Sequence, residues 1–99
     1  MARLVWTDSA ISDLDAIADY IALDKPSSAK QFVKNVFEKV ELLETFPEMC
    51  PFPHDLSTKR YRHLSVPPVR IFYRIEEDIV FIVYVMRAEK HLRIEDIGN

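Results

Sequence analysis

Residues 79–86, Ile-Val-Phe-Ile-Val-Tyr-Val-Met, form an unbroken apolar run rich in β-preferring side chains. Successive side chains of a strand point to opposite faces, so a strand that is apolar at every position has to be covered on both sides. The run therefore predicts an interior strand of a sheet that has a second layer packed on it. Two further β-preferring runs precede it, at 61–66 and 69–75, separated by Pro67-Pro68 and by Glu76-Glu77-Asp78. Connections this short demand antiparallel hairpins.

The first half of the chain supplies the covering layer. Residues 2–6, Ala-Arg-Leu-Val-Trp, read as a short strand stopped by Thr7-Asp8-Ser9, a helix-capping sequence. With Thr7 as N-cap, Trp6 is placed to staple onto Ile11, and Asp8 sits at the positive helix start. Ile11, Leu14, Ile17, Ala18 and Ile21 recur at helical spacing, with Asp13, Asp15 and Asp19 assigned to the wet side of a helix over 8–24. Lys25-Pro26-Ser27-Ser28 breaks that helix and puts a proline just inside the next. Ala29, Phe32, Val33, Val36, Val40, Leu43 and Phe46 mark the second helix, which Pro47 ends. Helices joined so briefly lie antiparallel.

The expected fold is thus an α+β two-layer domain in the order β-α-α-β-β-β, a helical hairpin packed on an antiparallel sheet. A chain of 99 residues holds one core, so a single domain spans 1–99. Residues 49–58 read as a proline-bearing loop, and 88–99, with Leu92, Ile94 and Ile97 among charges, as a short helix or an extra strand.

Several function classes are excluded. The lone glycine, Gly98, leaves no phosphate-cradling loop or dinucleotide fingerprint. Cys50, the single cysteine, has no disulfide partner and reads as a small hydrophobe. His54, His63 and His91 have no ligand spacing, so neither metal nor cofactor is expected. Neither Ser65 nor Cys50 carries the flanking signature of a nucleophile. Tyr61, Tyr73 and Tyr84 read as strand packing. The start of the chain lacks the apolar core of a signal peptide, and no stretch reaches the length of a membrane span, so a cytoplasmic protein is expected.

The charge is unevenly spread. The net charge is -3, which excludes a protein whose whole surface attracts nucleic acid, so any basic site is local. Residues 1–50 carry 5 basic and 9 acidic side chains, and residues 51–99 carry 8 and 7. Lys59, Arg60, Arg62, Arg70 and Arg74 fall in a stretch, 59–74, that contains no acid. Strand alternation puts Arg70, Phe72 and Arg74 on one face. Arg62 on the adjoining strand is expected to share it, and Arg87 ends the last strand. These six basic residues are the candidates for binding an anion or an acidic target. The competing reading is of solvated strand residues balanced by the helix carboxylates.

The order Val5-Trp6-Thr7, Ala10, Asp13-Leu14, Ile17, Tyr20-Ile21, followed by Pro26, Ala29, Phe32, by Leu43 and Pro47, and by Tyr61-Arg62, Leu64, Val69-Arg70-Ile71 and Tyr73-Arg74, resembles the RelE/ParE superfamily of bacterial toxins from type II toxin–antitoxin pairs. The match runs over about residues 4–87 and agrees with the fold read from the pattern. The resemblance implies a growth-arresting toxin neutralised by a ParD-like antitoxin in a hetero-oligomer. It also implies that promoter DNA is bound only through the antitoxin.

Two chemistries follow from that kinship. ParE-like members inhibit DNA gyrase, whereas RelE-like members are ribosome-dependent mRNA endonucleases. For the second, the resemblance implies Arg62, Arg70, Arg87 and His91 as the catalytic set. The acidic balance of this chain, and the lack of an acid/base beside the arginines, favour gyrase inhibition with no catalytic residues of its own. Phe37, Leu42 and Phe52, left over when the core stripes are assigned, join Arg70 and Arg74 as candidate antitoxin contacts. A third reading is a partner-binding module that is not toxic.

Overall fold

The computed structural model describes residues 1–55 and 59–89. Along the chain run β1 (Arg3–Trp6), α1 (Asp8–Asp24), α2 (Pro26–Thr45), β2 (Arg62–Val66), β3 (Val69–Glu76) and β4 (Ile79–Arg87). His91 and nearly all of the tail segment lie outside the described residues. The strands form one sheet ordered β1-β4-β3-β2, so β4 is interior, as its two-faced apolar run requires. β2, β3 and β4 pair antiparallel through their short turns. β1 lies parallel to β4 and makes the sheet mixed. A parallel pair needs a long crossover, and the intervening helices and hairpin supply it.

Both helices cover one face. Val69, Ile71 and Tyr73 of β3, with Val80, Ile82 and Val85 of β4, meet Ala10 and Leu14 of α1 and Phe32, Val36, Val40 and Leu43 of α2. Cys50 is buried in this core, as a small hydrophobe would be. Each fully buried side chain of this size contributes about 1.5–3 kcal/mol through removal from water.

The start of α1 is bolted to β4. Thr7 is the N-cap, its Oγ1 accepting from the Ala10 N–H at 3.2 Å and donating to the Ile82 carbonyl at 2.9 Å. Asp13 is not a wet-face residue: it is half-buried, and its Oδ2 accepts from the Val85 backbone N–H at 3.0 Å. It stands three residues after Ala10 and four before Ile17, on the rim of the buried stripe, where a carboxylate reaches the sheet. Trp6 packs its ring 5.0 Å from that of Phe37 on α2, while Ile11, the expected staple partner, is exposed.

The opposite face of the sheet is not bare. A bulge in β4, where Phe72 pairs with Tyr84 but Tyr73 with Ile82, leaves Val83 as an extra residue. A bulge breaks alternation locally. Val83 joins Tyr61 and Phe72 in a second apolar cluster, edged by Phe81, Tyr84 and Met86.

Candidate functional site

Strand register divides the basic residues predicted to work together. Directly opposed residues of an antiparallel pair share a face. Arg62 is opposite Tyr73, a core residue, so Arg62 falls on the helix side, away from Arg70 and Arg74. The sequence fixes alternation within each strand, but the pairing of β2 with β3 decides which of its alternating sets faces the helices. Arg87, opposite Val69, also lies on the helix side, its guanidinium 4.9 Å from the Tyr20 ring of α1.

Arg70 and Arg74 do share the outer face, as strand alternation predicts, and their surroundings differ. Arg70 lies over Phe72 at 4.8 Å and closes a two-pronged pair with Asp55, Nη1 to Oδ1 at 3.1 Å and Nη2 to Oδ2 at 2.7 Å. Its fork is therefore already engaged by a carboxylate of the loop. Arg74 lies over Phe81 at 4.4 Å, its Nε donating to the exposed carboxylate of Glu76 at 3.0 Å. Arg60 packs on the Tyr61 ring. Across this face, guanidinium groups form a lid on aromatic rings, an arrangement suited to a weakly hydrated planar cation.

Arg62 has a structural task. Its Nη1 donates to the Cys50 carbonyl at 2.7 Å and to that of Glu48 at 3.4 Å, and its guanidinium covers the Phe52 ring at 4.3 Å. The His63 N–H donates to the Pro51 carbonyl, so the loop after α2 is stitched to the free edge of β2. Tyr73 completes the stitching: its hydroxyl donates to the Pro47 carbonyl at 2.8 Å. Burial, with help from the neighbouring Cys50 thiol, pushes the Tyr73 phenol well above its usual range, so it remains a neutral donor.

β2 ends its pairing at Arg62, but β3 continues to Glu76. The space beyond is a cleft of about 320 Å³ lined by Glu48, Phe52, Lys59, Arg60, Arg62, Arg74 and Ile75. Lys59 makes no ion pair among the described residues, and the Arg62–Glu48 contact is loose at 3.7 Å. Four of the six basic candidates named from the sequence thus line one cleft, whereas Glu48 and Phe52, which approach only through the loop, were not legible as its walls.

The residues expected to contact an antitoxin do not form one surface. Phe37 and Leu42 are both partly exposed but stand about 140° apart around α2. Leu42 has Phe46 and Met49 as exposed apolar companions, whereas Phe52 lies beneath Arg62. A separate groove of about 520 Å³ runs between the helices, with Ala18, Ala22, Ala29 and Val33 among its walls. Among the described residues no cluster of His, Cys, Asp and Glu has the makings of a metal site, and no helix is long and apolar enough to cross a membrane.

A helical hairpin on a small mixed sheet is the fold this chain shares with type II toxins of the RelE/ParE superfamily. The chain belongs to the ParE toxin family of type II toxin–antitoxin systems, whose family model matches residues 4–92. It is 34% identical over 91 residues to Toxin RelE2 of Caulobacter vibrioides, covering 91% of this chain and 99% of that one. Its fold matches a chain of the chromosomal ParDE toxin–antitoxin system from P. aeruginosa with a TM-score of 0.75 and 29% identity, over 90% of this chain and 98% of that one.

Proposed function

We propose that this toxin arrests growth by inhibiting DNA gyrase, without cutting nucleic acid itself, and that a ParD-like antitoxin neutralises it. The observation that carries the reading is the dispersal of the arginines. Cleavage of mRNA by the superfamily's other chemistry needs free cations converging on one phosphate, with an acid/base beside them. Here Arg70 is closed on Asp55, Arg62 is spent on loop carbonyls, and Arg87 lies over Tyr20 on the side of the sheet opposite Arg70. The net charge of -3 also opposes approach to the strongly negative ribosome.

Family membership supports the antitoxin, as does the surface on offer. The groove between α1 and α2 and the exposed Leu42–Phe46 flank suit an amphipathic helix folding onto its partner. In this reading both partners act in the cytoplasm, and any promoter is bound by the antitoxin.

The test is to refold the chain free of antitoxin and add it to gyrase with relaxed plasmid, beside a ribosome-programmed mRNA cleavage assay. Lost supercoiling or trapped cleaved plasmid, with intact mRNA, is the expected outcome. Codon-dependent mRNA cuts with gyrase untouched would overturn it.

A further inference from the structure

We infer that protonation of His63 opens the Arg70–Asp55 clamp and frees the far end of the loop after α2 from the outer face of the sheet. This acid-sensitive latch is independent of the gyrase reading. His63 is opposite Phe72 in the pairing of β2 with β3, and its ring stacks on that of Phe72 with centroids 6.1 Å apart and planes inclined by 23°. Arg70 brings its guanidinium to 4.8 Å from the same phenyl ring. Asp55 closes on that guanidinium through both carboxylate oxygens, at 3.1 and 2.7 Å.

The charged and titratable groups acting on the imidazole are Arg70 from β3 and Asp55 and His54 from the loop. With His63 neutral, one guanidinium meets one carboxylate. With His63 protonated, two cations flank one ring and share that carboxylate. Hydrogen bonding sharpens the conflict. Nδ1 of His63 is buried and has no hydrogen-bond partner among the described residues. A neutral ring tolerates this as a bare acceptor with its proton on Nε2, whereas an imidazolium donates from both nitrogens. A buried donor without an acceptor is costly, the more so when charged. Of the groups acting on the ring, Asp55 is the anionic acceptor, and Arg70 already holds both of its oxygens. The imidazolium is therefore driven onto Asp55 at the expense of the fork.

The opening is confined to one end of the loop. Up to Pro51 the loop stays stitched by the Tyr73 hydroxyl on the Pro47 carbonyl, by Arg62 on the Cys50 carbonyl and by the His63 N–H on the Pro51 carbonyl. Past Pro51 it is held to the sheet by the Asp55 fork. The sign follows from the depressed native pKa of His63: the open form takes up a proton that the closed form refuses, so the clamp is intact above 6.5 and opens as pH falls below it. One proton sets the limit, a rise in the open fraction of up to about tenfold per pH unit.

The test is an NMR titration of the refolded, isotope-labelled full-length chain from about pH 8 to about pH 5, above the ordinary carboxylate range. It follows the His63 ring nitrogens, the Arg70 Nη signals and the amides of Val36 and Val40 in the core. A two-pronged contact holds the guanidinium against rotation and keeps its Nη signals apart. They should merge with the same midpoint as the His63 ring, while the core amides stay put. Asp55→Asn should show merged signals at every pH, His54→Gln should keep the transition, and His63→Gln should keep the signals apart throughout. The native chain's own titration decides the matter even if His63→Gln fails to fold. Arg70 signals that stay apart while His63 titrates would overturn the latch, since the ring would then have turned to water and left the fork closed. So would a transition that survives in His63→Gln, or core amides that move together with Arg70, which would make the event global unfolding.

Discussion

The guanidinium of Arg70 and the carboxylate of Asp55 meet fork to fork across 15 residues of chain, with side chains only 13% and 18% exposed. The pair clamps the loop after α2 onto the outer face of the sheet, over Phe72. Charge-assisted bonds this shielded are worth more than a surface ion pair, and removing one partner strands the other. Asp55→Ala is expected to lower unfolding free energy by about 2 kcal/mol, and Arg70→Ala by a similar amount. In a double-mutant cycle by urea unfolding, the pair should show clear coupling. Additive losses would mean that each side chain acts through other neighbours.

His63 makes stability depend on pH. It stacks on Phe72, and its Nδ1 has no hydrogen-bond partner among the described residues. Burial first, then the positive charge of Arg70 and a contribution from His54, push its pKa below the ordinary 6.5, against a smaller upward pull from Asp55. Between the depressed native value and 6.5 the unfolded chain takes up a proton that the folded chain refuses, so stability rises with pH in that window. The contribution is fully present above 6.5 and is lost as pH falls below it. Urea midpoints measured across pH should decline on acidification more steeply for the native chain than for His63→Gln. Parallel curves would remove His63 as the cause.

The Glu77-Asp78 turn between β3 and β4 is the next testable feature. Glu76 pairs with Ile79, leaving two loop residues, and Glu77 adopts φ 55°. That left-handed backbone suits the twist of a tight hairpin but crowds any side chain with a Cβ. Glu77→Gly should therefore raise stability by about 1 kcal/mol, read as a higher urea midpoint with an unchanged slope. An unchanged or lower midpoint would show that the greater freedom of glycine in the unfolded chain outweighs the relief.

The elements and their order were legible because each carries its own local signal: Thr7 for the start of α1, Pro26 and Pro47 for the bounds of α2, and the apolar run 79–86 for a central strand. The basic site was legible only as composition. Residues 59–74 announced a cluster without acids, yet Asp55, four residues upstream, reaches Arg70, and the pairing of Arg62 with Tyr73 sends Arg62 to the other face. A period-2 pattern places neighbours on one strand and is silent about the register of the next. Asp13 was misplaced for a related reason, since helical periodicity marks the edge of a stripe without showing that a strand amide awaits there.

Arg87 separates the two toxin chemistries with the least damage to the fold. Arg62 and Arg70 both tie down the loop, so loss of activity in their alanine variants would confound function with stability. Arg87 ends β4, and its guanidinium lies over the Tyr20 ring, itself 64% exposed, so truncation should cost at most about 1 kcal/mol, the scale of an exposed cation–π contact. A cation that stabilises charge at a reacting phosphate is worth several times that in the transition state. Under the gyrase reading, Arg87→Ala induced without antitoxin should arrest growth as the native chain does and inhibit supercoiling at similar concentration. Under the endonuclease reading, the same variant should let cells grow while melting at nearly the native temperature. Growth with an intact fold would return Arg87 to the catalytic set and reverse the proposed function.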